Sequence, residues 1–409
     1  MSQTVVGLPP RAANRPVRTK TAGAGHARDF MSWIVGVLFL FGLTTTAWAE
    51  PGIDARRVVL GSHQPLTGPA SEFSAIGHAA QAWFQYVNDL GGIHGRQIEL
   101  RIRDDRLQPE RAVEAIRTLV VQDQVFALFA SVGKRTHAAA QPTWASFQLP
   151  DFFVQSNAPE WTDPARPGVF AFEPTPEVEA RVLGQYLLRK HGGERIVVWH
   201  ASKFREAAFM LLRHGFTPQV QRKESDTSPE ALQGIVKSLK QARPQVVVAL
   251  AEYGDLLRFL QVFDAEGGSA LVYTGTALAD SETPRLLSLA MLKQLRLLTA
   301  LPLALEQDHP GIQLHRKLLE VYAPDLVMSR WTIQGQAAAE LMTAVLERSG
   351  RDLSASTALR SAERLDLPKS YLLPPVALDS QQHRALTSLR VIQLHPDRVD
   401  SLSDWIDGR

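Results

Sequence analysis

Residues 58–105 read VVLGSHQPLTGPASEFSAIGHAAQAWFQYVNDLGGIHGRQIELRIRDD, and the periods inside this stretch decide the fold. Val58–Leu60 is a short apolar run, and Pro65, Gly68 and Pro69 mark a turn after it. Ile76, Ala80, Trp83, Val87 and Leu90 recur at steps of four and three, which predicts a helix with one apolar stripe. Gly91 and Gly92 supply permissive backbone where that helix stops, and Gly95 allows a tight turn. Beyond it Ile98, Leu100 and Ile102 alternate with Glu99, Arg101 and Arg103, the period-two pattern of a strand with one buried face, closing on Asp104 and Asp105. The result is a βαβ unit, whose strands pair in parallel through a right-handed crossover.

The alternation runs on from there. Ala112, Val113, Ile116, Leu119 and Val120 form a helical stripe, Val125–Ala130 a buried strand, Ala138–Phe147 a helix with Pro142 near its first turns, and Phe152–Gln155 another strand. A second series begins at Glu177: helix 177–190, strand 196–199, helix Phe204–His214, helix 229–241, strand 245–250, helix 255–266 and strand 270–274. Pro174-Thr175-Pro176 separates the two series, as suits a crossing between two bodies.

Those opening residues also carry a resemblance. Gly61-Ser62-His63-Gln64-Pro65-Leu66-Thr67-Gly68-Pro69-Ala70, Asn88-Asp89-Leu90-Gly91-Gly92-Ile93-His94-Gly95-Arg96 and Asp104-Asp105 resemble the start of the branched-chain amino-acid-binding (Leu/Ile/Val-binding) family of periplasmic solute-binding proteins of ABC transporters. The resemblance weakens after about Thr299. It implies an α/β, two-lobe periplasmic-binding-protein fold of type I, each lobe a parallel-sheet sandwich, joined by a three-stranded hinge. It further implies a first lobe of residues 50–173 with 300–373 and a second of 174–299 with 374–409. The return crossing is then expected near Thr299–Pro302 and a third near Tyr371–Pro375, which would send Val376–Leu378 and Leu389–Leu394 to the second lobe.

The N-terminus points to the same compartment. Ile34–Leu43 is an uncharged, mostly apolar run ending in the small-residue site Ala47-Trp48-Ala49, the form of a signal peptide cleaved after Ala49. An uncleaved anchor is the competing reading, but a membrane span takes roughly twenty apolar residues. Residues 1–30 are either a long basic leader or precede a true start at Met31. Of 44 basic and 42 acidic residues, residues 1–49 hold five and one, so the remaining 360 carry 39 and 41, a net charge of −2. The sequence pI of 8.8 is thus no warrant for nucleic-acid binding. With no cysteine, the chain has no disulfide, thiolate nucleophile, Cys-held metal or lipid-modified cysteine.

In an open α/β sheet, ligands meet the loops beyond the C-terminal ends of the strands. Candidate ligand contacts are Phe73 in the first such loop, where the resemblance puts an aromatic contact; Ser131, Val132 and Gly133 in the second; Gln155, Ser156 and Asn157 in the third, which resembles the family's second binding loop; and Phe204, Glu252, Tyr253 and Thr276 in the second series. Each has a plainer reading: Phe73 and Phe204 as core, Ser131 as a helix cap, Asn157 as a turn residue, Tyr253 as a helix start. In relatives a second-lobe carboxylate meets the ligand ammonium, but here that position reads Gly275-Thr276-Ala277-Leu278. An α-amino acid would need Glu252 or Asp280 instead, so an uncharged or anionic ligand, a carboxylate or amide, is expected, with Lys134, Arg135 and Arg205 beside the loops.

No nucleophile elbow, phosphate loop, HExxH or dinucleotide fingerprint is present, and the histidines are scattered, so neither a cofactor nor a metal is expected. The reading is an exported, non-enzymatic receptor that hands a small polar solute to an inner-membrane ABC permease. Its rivals are a periplasmic sensor of the same fold and a cleft enzyme using Glu252, His200 or Asp280.

Overall fold

The computed structural model describes residues 50–213 and 220–409. The expected signal peptide, its cleavage point and the alternative start at Met31 lie outside these residues, as does His214. No helix of the described residues is long and apolar enough to cross a membrane.

The opening unit forms as its periods dictate. Strands β1 (Arg57–Gln64) and β2 (Gln97–Asp104) pair in parallel, Val58 beside Ile98 and Leu60 beside Leu100, around helix α1 (Ser74–Asp89). Ile76, Ala80, Trp83 and Val87 are buried, but Leu90 is 71% exposed: the helix ends at Asp89 and Gly91 turns the chain at φ +111°. Helix α2 (Pro109–Val121), strand β3 (Ala127–Phe129), helix α3 (Lys134–Ser146), strand β4 (Asp151–Val154) and strand β5 (Val169–Ala171) complete a sheet of order β2-β1-β3-β4-β5. Helix α3 starts four residues earlier than the sequence suggests, which leaves Pro142 inside it.

The second body takes up after β5. It contains α4 (Pro176–His191), β6 (Ile196–Ala201), α5 (Arg205–Leu212), β7 (Val220–Ser225), α6 (Pro229–Ala242), β8 (Val246–Leu250), α7 (Tyr253–Ala265), β9 (Leu271–Thr274), the short α8 (Thr283–Leu286) and α9 (Leu289–Gln294), and β10 (Leu295–Thr299). The chain then returns to the first body as α10 (Pro310–Tyr322), α11 (Arg330–Ser349) and α12 (Ala355–Ala362). A small antiparallel ribbon follows, β11 (Asp366–Leu367) with β12 (Val376–Ala377). Strands β13 (Ser388–Leu394), β14 (Val399–Ser401) and β15 (Ile406–Asp407) close the second sheet, ordered β14-β13-β10-β9-β8-β6-β7 with β15 on β13.

Both sheets are sandwiched. Along β1, Val58 and Leu60 face one hydrophobic cluster while Val59 faces another, and along β6 Ile196 and Val198 part from Val197 and Trp199 in the same way. Burial on both faces is what lets these strands read as continuous apolar runs.

The third crossing differs from expectation. Val376 pairs within the small ribbon, and Ala385 and Leu386 donate backbone hydrogen bonds to Ala171 and Phe172, so this segment still lines the edge of the first sheet. We place the crossing at Leu386–Ser388. Pro374 and Pro375 had suggested an earlier one, yet Leu372, Leu373 and Val376 are buried, Tyr371 meets the edge of Trp83 on α1, and Leu372 lies against Gly311 on α10.

Helix α11 is anchored by close approach. A Cβ on Gly335 would stand 2.1 Å from the Ile76 carbonyl oxygen, while Trp83 Nε1 donates to Thr343 Oγ1 at 3.0 Å nearby. Backbone cannot yield as a side-chain tip can. Gly335→Ala is therefore expected to lose about 2–4 kcal/mol of stability in denaturant titrations, despite alanine's better helix propensity.

Candidate functional site

The three crossings meet at a cleft. Its walls come from the first crossing (Glu173, Pro174, Pro176), the second (Thr299–Leu303), Leu386 at the third, the N-terminus of α11 (Arg330, Ile333, Gln334), and second-body loops after β6, β8 and β9. The cavity of about 160 Å³ is thus bordered by both bodies, as a closing receptor requires. Arg330 already spans it: Nη1 donates to the Ala277 carbonyl at 3.0 Å, and the guanidinium lies 4.5 Å from the Trp331 ring centre.

Of the residues singled out in the sequence, Asn157, Phe204, Glu252 and Thr276 border this cleft. Glu252 is exposed and faces Lys203 at 3.4 Å. The others lie behind or beside the wall. Phe73 packs on Trp331, ring centres 4.5 Å apart. Gln155 is buried and accepts at Oε1 from Gln334 Nε2 at 2.6 Å, so it backs a residue that itself lines the cleft. Ser156 turns its hydroxyl to the Ala158 amide and its carbonyl to Arg384. Ser131 is fully buried, Val132 bonds through its amide to the His63 carbonyl, and Gly133 leads into α3 without a side-chain cap. Tyr253 is 45% exposed on the first turn of α7.

The expected cations are elsewhere. Lys134 pairs with Glu160 and Arg205 with Glu224; with Arg135, none borders the cleft. Lys134 and Arg135 open α3, and Arg205 opens α5. The case these residues made for an anionic ligand therefore lapses.

Four polar groups on the wall were not legible in the sequence: Glu173, Glu179, Arg330 and Gln334. Glu179 matters most. It sits in the first turn of α4, where Thr175 caps the helix by accepting from the Val178 amide, and its carboxylate reaches across to the loop after β9. There Oε1 accepts from Thr276 N at 3.2 Å and Thr276 Oγ1 at 2.5 Å. Gly275 makes room, since a Cβ on it would stand 2.0 Å from Glu179 Oε2. The segment lacking a carboxylate in sequence thus receives one from a different helix.

Burial pushes the Glu179 carboxyl up to about 7; its bonds to Thr276 oppose this, the charge of Glu173 adds to it, and Arg330 relieves it in part. Among the described residues no Lys or Arg forms an ion pair with Glu173 or Glu179, although Gln334 Nε2 donates to Glu173 at 2.8 Å. A carboxylate enclosed without a cation is costly, so the wall gains from any group that brings positive charge.

Gly275→Ala tests this arrangement. Its φ of −70° admits a side chain, so the variant should fold, but the new methyl displaces the Glu179 carboxylate. Calorimetry with an amino-bearing ligand is expected to show affinity lowered tenfold or more, about 1.4 kcal/mol.

Known proteins with this build are numerous. A "Leu/Ile/Val-binding protein homolog 3" of Brucella melitensis biotype 1 is 27% identical over 255 residues, 59% of this chain and 65% of that protein. The chain thus spans just under two thirds of that curated relative. Among solved structures, a Thermus thermophilus branched-chain amino acid ABC transporter protein with bound valine superposes with a TM-score of 0.69 at 16% identity, over 87% of this chain and 97% of that one. A fatty acid ABC transporter substrate-binding protein from Thermomonospora curvata gives 0.66 at 16% identity, over 87% and 94%. At such identities the likeness carries the fold and leaves the ligand open. Residues 57–398 match the family described as "Periplasmic binding protein", and the chain, with its two sandwiched sheets and shared cleft, belongs to that family.

Proposed function

We propose that the chain is an exported substrate-binding protein, freed by cleavage after Ala49, that encloses a compact amino-bearing solute and presents the closed form to an ABC permease. The carrying observation is the Glu179 carboxylate, seated on Thr276 at the cleft wall with Glu173 near enough to raise its pKa and no ion-paired cation among the described residues. A protonated amine on the ligand supplies the missing charge. Arg330 suits an anionic or carbonyl end, and Phe204, Leu250, Leu303 and Ile333 offer apolar surface for the remainder. An α-amino acid or a related zwitterion fits this polarity, with Glu179 in the place that Glu252 or Asp280 was expected to fill. No bond chemistry is required. Closure gains only as much as the ligand binds the shut form better than the open one, so contacts from both bodies are needed.

The test is thermal stabilisation of residues 50–409 by a panel of amino acids, amines, short carboxylates and amides. A ligand at a hundred times its Kd adds about 2.7 kcal/mol, which a melting curve resolves. Stabilisation by amino-bearing members is expected. Stabilisation confined to carboxylates without an amine, or none across the panel, contradicts the proposal.

A further inference from the structure

Beneath the first body's exit loops lies a chain of four fully buried titratable side chains that ligand capture does not use. His63 Nδ1 stands 2.7 Å from Asp105 Oδ2, His63 Nε2 is 2.9 Å from His137 Nδ1, and His137 Nε2 is 2.6 Å from Asp151 Oδ2. All four residues have zero exposure. They come from β1, the turn after β2, α3 and β4. Around them His137 stacks on Trp144 and meets the edge of Trp161, and the groups acting on His63 are the other three members of the chain.

Proton counting constrains this chain. Each of the three contacts needs one hydrogen between its heavy atoms. Two carboxylates and two neutral imidazoles bring only two, one per ring. A third is required, and the two ends of the chain differ in how they would receive it. Asp105 is served as an anion should be, since its other oxygen, Oδ1, accepts from the Leu107 amide at 2.8 Å. Asp151 Oδ1 is buried with no donor among the described protein groups. An unpartnered oxygen costs far less on a neutral acid than on a carboxylate.

We infer that this chain holds three protons in one direction: Asp151 Oδ2–H donates to His137 Nε2, His137 Nδ1–H to His63 Nε2, and His63 Nδ1–H to the Asp105 carboxylate. Both imidazoles are then neutral. Burial holds His63 below its ordinary value, which agrees with that assignment. The four are positioning residues. The chain ties α3 and the Ser131–Gly133 turn to β1 and β4, and the Val132 amide bonds the His63 carbonyl at 3.1 Å.

The two aspartates can be told apart by amide replacement. In Asp151→Asn the new NH₂ donates to His137 Nε2 as the acid did, and the amide oxygen takes the site without a donor. In Asp105→Asn either the amide accepts from His63 and turns its NH₂ toward the Leu107 amide, donor against donor, or every proton in the chain reverses and leaves an ionised Asp151 whose Oδ1 has no donor. The melting temperature of Asp151→Asn is expected within about 2 °C of the parent and that of Asp105→Asn lower by about 5 °C or more. Nitrogen-15 spectra of the parent protein give a readout that needs no variant to fold: both His63 and His137 should appear as neutral Nδ1–H tautomers. An imidazolium at either ring, an Nε2–H tautomer at His137, or Asp151→Asn as damaging as Asp105→Asn overturns the inference.

Discussion

Glu179→Gln is expected to weaken binding of an amino-bearing ligand by roughly 30- to 1000-fold, or about 2–4 kcal/mol, because it removes one partner of an enclosed charge pair. The amide keeps the size of the side chain and can still accept from Thr276 at its oxygen, so the loop after β9 stays in place and the loss falls on the ligand. The same variant should flatten two pH profiles. The Glu179 carboxyl is raised by burial from 4.5 to about 7. A carboxyl raised above its unfolded value contributes stability that is complete below the unfolded pKa and is lost as pH climbs through the folded one. The unliganded protein is therefore expected to be less stable at about pH 8.5 than at about pH 5.5, by roughly 2 kcal/mol, and Glu179→Gln should lack that difference. Binding of an ammonium holds Glu179 ionised, so affinity should rise from pH 6 toward pH 8 with release of a proton, measurable by calorimetry in buffers of different ionisation heat.

The second large effect is structural. Arg384 is only 3% exposed, and burial lowers its pKa to about 10, with surrounding carboxylates opposing, so it stays charged at neutral pH. Its guanidinium donates to the carbonyls of Ser156 at 3.2 Å, Ala158 at 2.8 Å and Glu173. One side chain thus fastens the segment before β13 to the loop after β4 and to the first crossing. Arg384→Met fills similar volume and takes the guanidinium donor from all three carbonyls. A loss of about 3–5 kcal/mol is expected, with a melting temperature lower by on the order of 5–10 °C. Arg384→Lys should recover only part, since one ammonium cannot reproduce the planar fork. Ligand affinity should fall as well, because the Glu173 carbonyl is one of the three and its carboxylate borders the cleft.

The fold was legible where periodicity is strong. Four of the five residues of the predicted stripe lie buried on α1, and with the alternation through Ile98, Leu100 and Ile102 they placed the first unit, while the apolar runs at β6 and β8 placed the second sheet. Crossings were harder to read. Pro374 and Pro375 look like a linker, yet the chain first pairs in the small ribbon and then meets the first sheet's edge at His383–Leu386, through backbone bonds that carry no side-chain signature. The cleft was half legible. Residues in strand-exit loops, such as Asn157, Phe204 and Thr276, can be listed from strand positions alone, because the sheet geometry aims those loops at the cleft. Glu179 could not be, since an acidic residue in the first turn of a helix reads as a complement to the helix dipole. Its route to Thr276 exists only once β9 is set beside α4 and Gly275 leaves room. Arg330 and Gln334 were hidden likewise, as polar residues opening a long helix whose N-terminus folds back over the crossings.

Native mass spectrometry of residues 50–409, recovered without refolding from the periplasm of an expressing cell, tests the central claim most directly. The account predicts one small nitrogen-bearing solute per chain, held by the parent protein and absent from Glu179→Gln. A parent protein that carries no adduct and captures none from a pooled set of amines and amino acids, or an adduct that Glu179→Gln retains in full, would contradict it.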